Sequence, residues 1–321
     1  IMLAGKLKNI ATIDDFQINV VSYLFNWVLT HSIDGLTCSG IKELSPDQNY
    51  ILISNHRDIV LDSAFINYFL FHNKHKVAYI AFGDNLLINE SVSDLIRMNK
   101  AFIVKRGLPP KEQLKALKHL SEYMNHMRHR CQNLWIAQRE GRAKDGIDVT
   151  NPAIIKMLYL SERKKGFDFS EFIESCSIVP VAISYEKDPC DRIKGWEIYR
   201  TLKNGEYRKR KNEDFISMSA GISGDKGRVH VAFGKPLAGD YSDDKEVAEA
   251  IDRSIYSNYR LWPSNYIAYD TFFEVDKYQS KYTVDEKTDF LSRYKNLNPD
   301  VRKIVLNAYA NPVINSKLRF N

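Results

Sequence analysis

Short apolar runs alternate with segments of helical period from Asn49 to Tyr185, and this alternation most limits what the chain can fold into. NYILISN reads as a buried strand that ends in polar residues, and LDSAFINYFLF as the helix that follows. KVAYIAF, AFIVKR, NLWIAQRE and SIVPVAISYE read as further strands. Between them lie helical segments: a short one at SVSDLIRM, a long one at PPKEQLKALKHLSEYMNHMRH and one at NPAIIKMLYLSERK. Proline at the entry of the long helix suits a first turn, whose N–H has no partner in any case. Strand–helix alternation of this kind predicts an α/β layer fold with a mostly parallel, buried sheet. Ligands in such sheets gather where strands end and helices begin. His56 and Glu140 both fall at predicted strand ends.

The flanks differ. FQINVVSYLFNWVLTHSI repeats Phe16, Val20, Leu24 and Trp27 at helical spacing, with Asn19, Ser22 and Asn26 between them, and so predicts an amphipathic helix. In WEIYRTLKNGEYRKRKN, two strand-like arms around Asn204–Gly205 carry a hairpin signal. GRVHVAFGKPL reads as one more strand, with His230 as an ordinary strand residue. DDKEVAEAIDRSIYSNYRL, TVDEKTDFLSRYKNL and DVRKIVLNAYANP are helical. The expected organisation is an amphipathic helical segment over 1–34, an α/β domain over 35–240 and a helical extension over 241–321. The fold class is α/β: a mostly parallel mixed sheet flanked by helices, with helical additions at both ends.

Composition sets limits on function. A chain of 321 residues with 44% hydrophobic and 27% charged residues has the profile of a folded protein. A net charge of +6 is mild and suits anionic ligands or an anionic membrane surface. Cys38, Cys131, Cys176 and Cys190 are scattered without a C-x-x-C pair, so neither a disulfide scaffold nor a zinc site is expected, and a reducing compartment is. The opening IMLAGKLKNIATIDD holds no long apolar stretch of the secretory type. No window offers the roughly 18 uninterrupted apolar residues of a spanning helix.

His56 sits among Ser54, Asn55, Arg57 and Asp58, just after a strand. A histidine beside a carboxylate is suited to general-base work, because the acid selects the ring tautomer and stabilises the imidazolium. Asp58 and Asp62 are the two available partners. Neither a G-x-S-x-G elbow nor a recognisable cysteine nucleophile motif is present, so any acyl chemistry would most simply be direct attack by a substrate hydroxyl activated by His56. Lys105 and Arg106 end a strand, where a guanidinium fork suits a phosphate. A third strand runs into Arg139-Glu140-Gly141-Arg142, with Gly141 allowing an unusual turn. Pro180 inside IVPVAISYE marks an edge, a bulge or a strand start. Arg208-Lys209-Arg210-Lys211 is a basic run suited to anionic headgroups, and no nucleic-acid motif accompanies it.

The ordered set SNHRDIVLD, KAFIVKRG, IAQREGRAKDG, IVPVAI and VHVAFGKPL resembles the glycerolipid acyltransferase family, over roughly Gly35 to Leu237. The resemblance implies transfer of a fatty acyl group from acyl-CoA or acyl carrier protein to a glycerol-phosphate or lysophospholipid hydroxyl. His56 is then the base and Asp62 its partner, with Asp58 as the alternative. Asn55, Arg57, Lys105, Arg106, Glu140, Gly141, Arg142 and Lys144 are implied at the phosphate-bearing substrate, and Val179 and Pro180 at the acyl or acceptor pocket. It implies no bound cofactor, no metal and no acyl-enzyme. Expected partners are the acyl donor, a lipid acceptor and an anionic membrane surface, with no nucleic acid. The expected place is the cytoplasm, at the inner face of the cytoplasmic membrane. The chain departs from the family pattern in having five residues, not four, between His56 and Asp62. Arg139 stands where the family has proline or a neutral residue, and Arg142 follows Glu140-Gly141 directly, which makes Lys144 a substitute candidate. Two rival readings are an inactive lipid- or carrier-binding protein on the same fold, and a thioesterase-like hydrolase.

Overall fold

The structure is a computed structural model that describes residues 11–87, 94, 96–208 and 212–317. Seven strands form one sheet: β1 (Gly35–Ser39), β2 (Ile51–Ser54), β3 (Tyr79–Gly83), β4 (Ala101–Val104), β5 (Leu134–Ala137), β6 (Ile178–Tyr185) and β7 (Arg228–Phe233). Their spatial order is β1-β7-β6-β2-β5-β3-β4. Every neighbouring pair is parallel except β6–β7. The mostly parallel mixed sheet expected from the sequence is therefore present.

Period-two alternation assigns the strand residues to two cores. Leu52, Val179, Val181, Ile183 and Tyr185 pack on one side with α2 (Ser22–His31) and α3 (Leu61–His72), which contribute Phe25, Val28, Phe65, Ile66 and Phe69. Ile51, Ile53, Ile178 and Ala182 pack on the other. There they meet α4 (Pro110–His129), α5 (Ala153–Arg163) and α6 (Phe169–Ser175). Because β6 is covered on both faces, all eight of its residues are buried. Beyond β6, the chain forms α7 (Asp191–Asn204), α8 (Glu213–Ser223) and α9 (Asp244–Asn258). Val247, Ile251 and Ile255 of α9 join the second sheet core. The helices α10 (Pro263–Phe273), α11 (Val284–Ser292) and α12 (Pro299–Lys317) build a third core, onto which Trp196 and Tyr199 of α7 pack. Among the described residues no helix is long and apolar enough to cross a membrane.

Three local expectations are corrected. The hairpin expected around Asn204–Gly205 is instead the end of α7, with Gly205 at a φ of 77° as its C-cap. Asn-Gly supplies the left-handed conformation that both a hairpin turn and a helix C-terminus use, and packing on the third core selects the helix. Pro180 lies in an interior strand, opposite Ile53 of β2, not at an edge. Its carbonyl accepts from Gly234 N at 2.8 Å just past the end of β7, so the ladder ends where proline lacks a donor. The N-terminal stripe also shifts. A helical turn α1 (Ile13–Phe16) leads through a π-turn (Gln17–Val21) into α2. One extra residue per turn moves the buried face from Phe16 and Val20 to Phe25 and Val28, and leaves Leu24 and Trp27 exposed. Half of the expected SVSDLIRM helix, and Lys209 to Lys211, lie outside the described residues.

The chain after β5 runs without regular structure from Gln138 to Asn151 and is tied to α9, where Thr150 N and Oγ1 both donate to Asp252 Oδ1. Burial pushes the Asp252 carboxyl up to about 6, against the two donations from Thr150. The folded chain thus keeps this proton to a higher pH than the unfolded chain, whose Asp titrates near 3.9. Stability from this group is full below the unfolded value and falls as pH rises towards about 6. The amide introduced by Asp252→Asn cannot ionise, and its oxygen still accepts both donors. In urea unfolding, Asp252→Asn is expected to match the native chain near pH 4 and exceed it by about 1 kcal/mol at pH 7, since a partly exposed group is discounted for screening. A difference independent of pH would contradict this assignment.

Candidate active site

The C-terminal ends of β2, β3, β4 and β5 open on one edge of the sheet, because these strands run parallel. Past the end of β2, residues 55–60 form an irregular loop before α3. This loop absorbs the extra residue between His56 and Asp62, and Asp62 becomes the second residue of the helix. His56 Nδ1 lies 2.9 Å from Asp62 Oδ2. A carboxylate only accepts, so in the neutral ring Nδ1 carries the proton and Nε2 keeps its lone pair. The chain also turns Arg57 N and Asp58 N onto the same oxygen, at 2.6 and 2.9 Å. Tyr185 Oη, at the end of β6, donates to Asp62 Oδ1 at 2.8 Å. Asp62 is fully buried, whereas His56 is partly open.

Asp58 does not meet His56. Its Oδ1 accepts from Val60 N at 2.9 Å and from Leu61 N at 2.8 Å and so ends the loop at the start of α3. Burial, and then Asp62, holds its carboxyl above the usual range. Gly221 of α8 makes room for it, since a Cβ there would lie 2.1 Å from Asp58 Oδ2.

His56 lines a cleft of about 120 Å³ together with Trp135, Arg106, Arg139, Gly141, Arg142, Lys144 and Asp214. Trp135 stands edge-on to the imidazole at 5.9 Å between ring centres, and its Nε1 donates to Ser54 Oγ. Arg106 pairs with Glu140 at 3.2 Å. Gly83, at the end of β3, leaves space for that guanidinium, because a Cβ would come within 2.9 Å of Arg106 Cζ. The turn after β5 needs a left-handed residue, and Gly141 supplies it with a φ of 72°. Ala143 N donates to His56 O at 2.8 Å, which holds this turn against the histidine loop. Lys144 is paired with Glu197 of α7. Arg142 Nη1 is buried and has no hydrogen-bond partner among the described residues.

Several expected substrate groups have internal tasks. Asn55 is fully buried, and its amide exchanges hydrogen bonds with Ile183 N and O, splicing the end of β2 to β6. Arg57 pairs with Asp148 at 2.5 Å and lies over the Tyr259 ring, inside the protein. Its carbonyl accepts from Lys194 Nζ of α7 at 2.7 Å. Lys105 faces a different groove, formed with Phe102, Leu120 and Tyr123. Val179 and Pro180 do not line the cleft, since β6 is buried on both faces at that point. His230 is a strand residue, as expected, with its ring nitrogens against Thr37 and Ser39 hydroxyls. Trp135, Tyr185, Lys194 and Gly83 were not marked by sequence reasoning. Only Tyr185 carries a local signal, as the fourth member of the period-two series Val179, Val181, Ile183.

The family model described as Acyltransferase matches residues 35–184. The chain is similar in structure to the crystal structure of the 1-acyl-sn-glycerophosphate (LPA) acyltransferase, PlsC, from Thermotoga maritima. That match has a TM-score of 0.42 and 13% identity, and it covers 79% of this chain and 83% of that one. No curated protein matches the chain.

The separate duties of the two acids can be tested by stability. Asp58→Ala removes the one oxygen that accepts from two N–H groups at the entry of α3 and is expected to cost about 1 kcal/mol in urea unfolding at pH 7. Asp58→Asn keeps an oxygen in place and should cost measurably less. Equal losses in the two variants would contradict the capping role.

Proposed function

From the match of residues 35–184 to the family model described as Acyltransferase, we propose that the chain moves a fatty acyl group from an acyl-CoA or acyl-carrier-protein thioester to the hydroxyl of a glycerol-phosphate or lysophospholipid acceptor. The observation that carries the reading is the His56–Asp62 pair opening on a cleft with Arg106, Arg139 and Arg142. His56 Nε2 takes the proton of the acceptor hydroxyl as its oxygen bonds to the thioester carbonyl carbon. The tetrahedral intermediate collapses with cleavage of the C–S bond, and the imidazolium returns the proton to the thiolate. Ester and free thiol are the products. Asp62 stabilises the imidazolium and holds its tautomer. The arginines bind the phosphate of the acceptor.

The reading extends to peripheral action at the inner face of the cytoplasmic membrane. Tyr23, Leu24 and Trp27 of α2 are exposed, as are Phe215 and Ile216 of α8, which packs on α2. Asp214, beside Phe215, lines the cleft, so the apolar surface adjoins its mouth. Arg208 adds a cation at the approach to α8 and is paired with Glu206.

Two measurements test this reading. With acyl-CoA or acyl-carrier protein and a panel of glycerol-phosphate and lysophosphatidate acceptors, thiol release should accompany formation of the acylated lipid. His56→Ala should lower the rate by about 100- to 10,000-fold. Full activity in that variant would refute the mechanism, and free fatty acid as the sole product would favour hydrolysis. Separately, sedimentation with phosphatidylglycerol vesicles should recover the protein. Replacing Leu24, Trp27 and Phe215 together by serine should weaken that binding by about tenfold or more, given the apolar area lost. Unchanged binding would remove this surface from the reading.

A further inference from the structure

We infer that Tyr185 is a positioning residue: its hydroxyl sets the plane of the Asp62 carboxylate and, through that carboxylate, the proton affinity of His56. The inference rests on the reading of His56 as the base. Rotation of an aspartate carboxylate about its last bond is broad and roughly two-fold, so external hydrogen bonds must choose its plane. Three donors, His56 Nδ1, Arg57 N and Asp58 N, converge on Oδ2. Among the described residues, Tyr185 is the donor to Oδ1, and it comes from a separate element, the end of β6. The three loop donors hold one end of the carboxylate, and the tyrosine holds the other.

The phenol is itself well anchored. Tyr185 is buried, its ring packs against Phe65 at 5.9 Å between centres, and both belong to the first sheet core. Burial, and then Asp62 and Asp58, keeps its proton on well beyond the usual tyrosine range, so it acts as a donor throughout the working pH. A donor on Oδ1 draws charge from the carboxylate. Without it, Asp62 pulls more strongly on the His56 ring proton and favours the imidazolium. Asp58 and Arg57 from its own loop and Tyr259 after α9 act on Asp62, while Arg142 after β5 acts on Asp58 and Asp188 after β6 on Tyr185. Arg106, Arg139, Lys144 and Asp214 line the cleft with His56. All of them remain in a variant that lacks only the hydroxyl, so the difference from the native chain isolates Tyr185.

Tyr185→Phe keeps the packed ring. The His56 ring titration, followed by NMR of the ring carbon-bound proton in the substrate-free protein, should move up by about 0.3 to 1 pH unit. The acidic limb of kcat/KM should move the same way, and kcat should fall by about 5- to 50-fold with acceptor KM within about twofold. Tyr50→Phe removes another buried phenol, hydrogen-bonded to Gln48 and Ser45, and should move neither titration nor profile. Tyr185→3-fluorotyrosine, with the same shape and a stronger donor, should move the His56 titration down, and it decides the matter if Tyr185→Phe fails to fold. An unchanged His56 titration in the Tyr185 variants would overturn the inference. The titration needs no substrate, so absence of acyl transfer in the native chain would refute the functional reading and leave this test intact.

Discussion

The Asp62 carboxylate is the point on which the site depends. A carboxylate taken out of water is costly unless its oxygens are matched by donors. Here four donors meet it: one imidazole, two backbone N–H groups and one phenol. Hydrogen bonds to a charged group contribute more than neutral ones, on the order of 1.5–3 kcal/mol each. The loop from Asn55 to Val60 has no regular secondary structure to hold it, so this carboxylate supplies its hydrogen-bond partners in place of a ladder. The group that orients His56 is therefore also the group that folds the loop carrying His56. Site geometry and loop stability are one property.

The rest of the molecule braces that junction from several sides. The peptide between Arg57 and Asp58 gives its N–H to Asp62 and its carbonyl to Lys194, whose ammonium also pairs with Asp188. Lys194 stands on α7, next to Gly195, where a Cβ would come within 2.6 Å of Val305 on α12. Close approach of the two helices at Gly195 thus seats the lysine behind the histidine loop. The parallel strands bring Gly83, Arg106 and the turn at Gly141 to the front of the same loop. Ala143 N on the His56 carbonyl joins front to back.

The elements of this fold were legible because each carries its own period. β2 and β6 are continuous apolar runs and α4 is a long amphipathic pattern, and both signals survive without knowledge of neighbours. What failed was what neighbours decide. Asn204–Gly205 is compatible with a hairpin and with a helix end, and the third core made the choice. The stripe through Phe16 and Val20 was continued to Leu24 and Trp27 by a regular helix period, and a π-turn displaced it by one residue. At the site, the resemblance implied Asp62 ahead of Asp58 despite the extra residue after His56, and the hydrogen bond to His56 is made by Asp62. Asn55 and Arg57 sit within the same motif but face inward, and their partners Ile183 and Asp148 lie 128 and 91 residues away in sequence. Tyr185 and Trp135 were invisible as site residues for the same reason: only the sheet order brings their strands beside β2.

The distribution of partners among the basic residues sharpens where a phosphate belongs. Arg57 is neutralised by Asp148, and Lys144 by Glu197. Lys105 opens on another groove. Arg106 is held by Glu140, whose side chain is 69% exposed, so that pair is solvated and contributes little to holding the guanidinium in place. Arg57 Nε and Arg142 Nη1 are both buried without a hydrogen-bond partner among the described residues, but of the two residues only Arg142 also lines the His56 cleft, where an incoming anion would remove that cost. Under the proposed reading, the acceptor phosphate therefore sits against Arg142, with Arg139 and Arg106 at its sides. The shortened spacing Glu140-Gly141-Arg142 then has a physical role. The left-handed Gly141 turns the chain so that Arg142 lines the cleft that His56 also lines. Lys144, which lines the same cleft, ties the turn to α7 through Glu197.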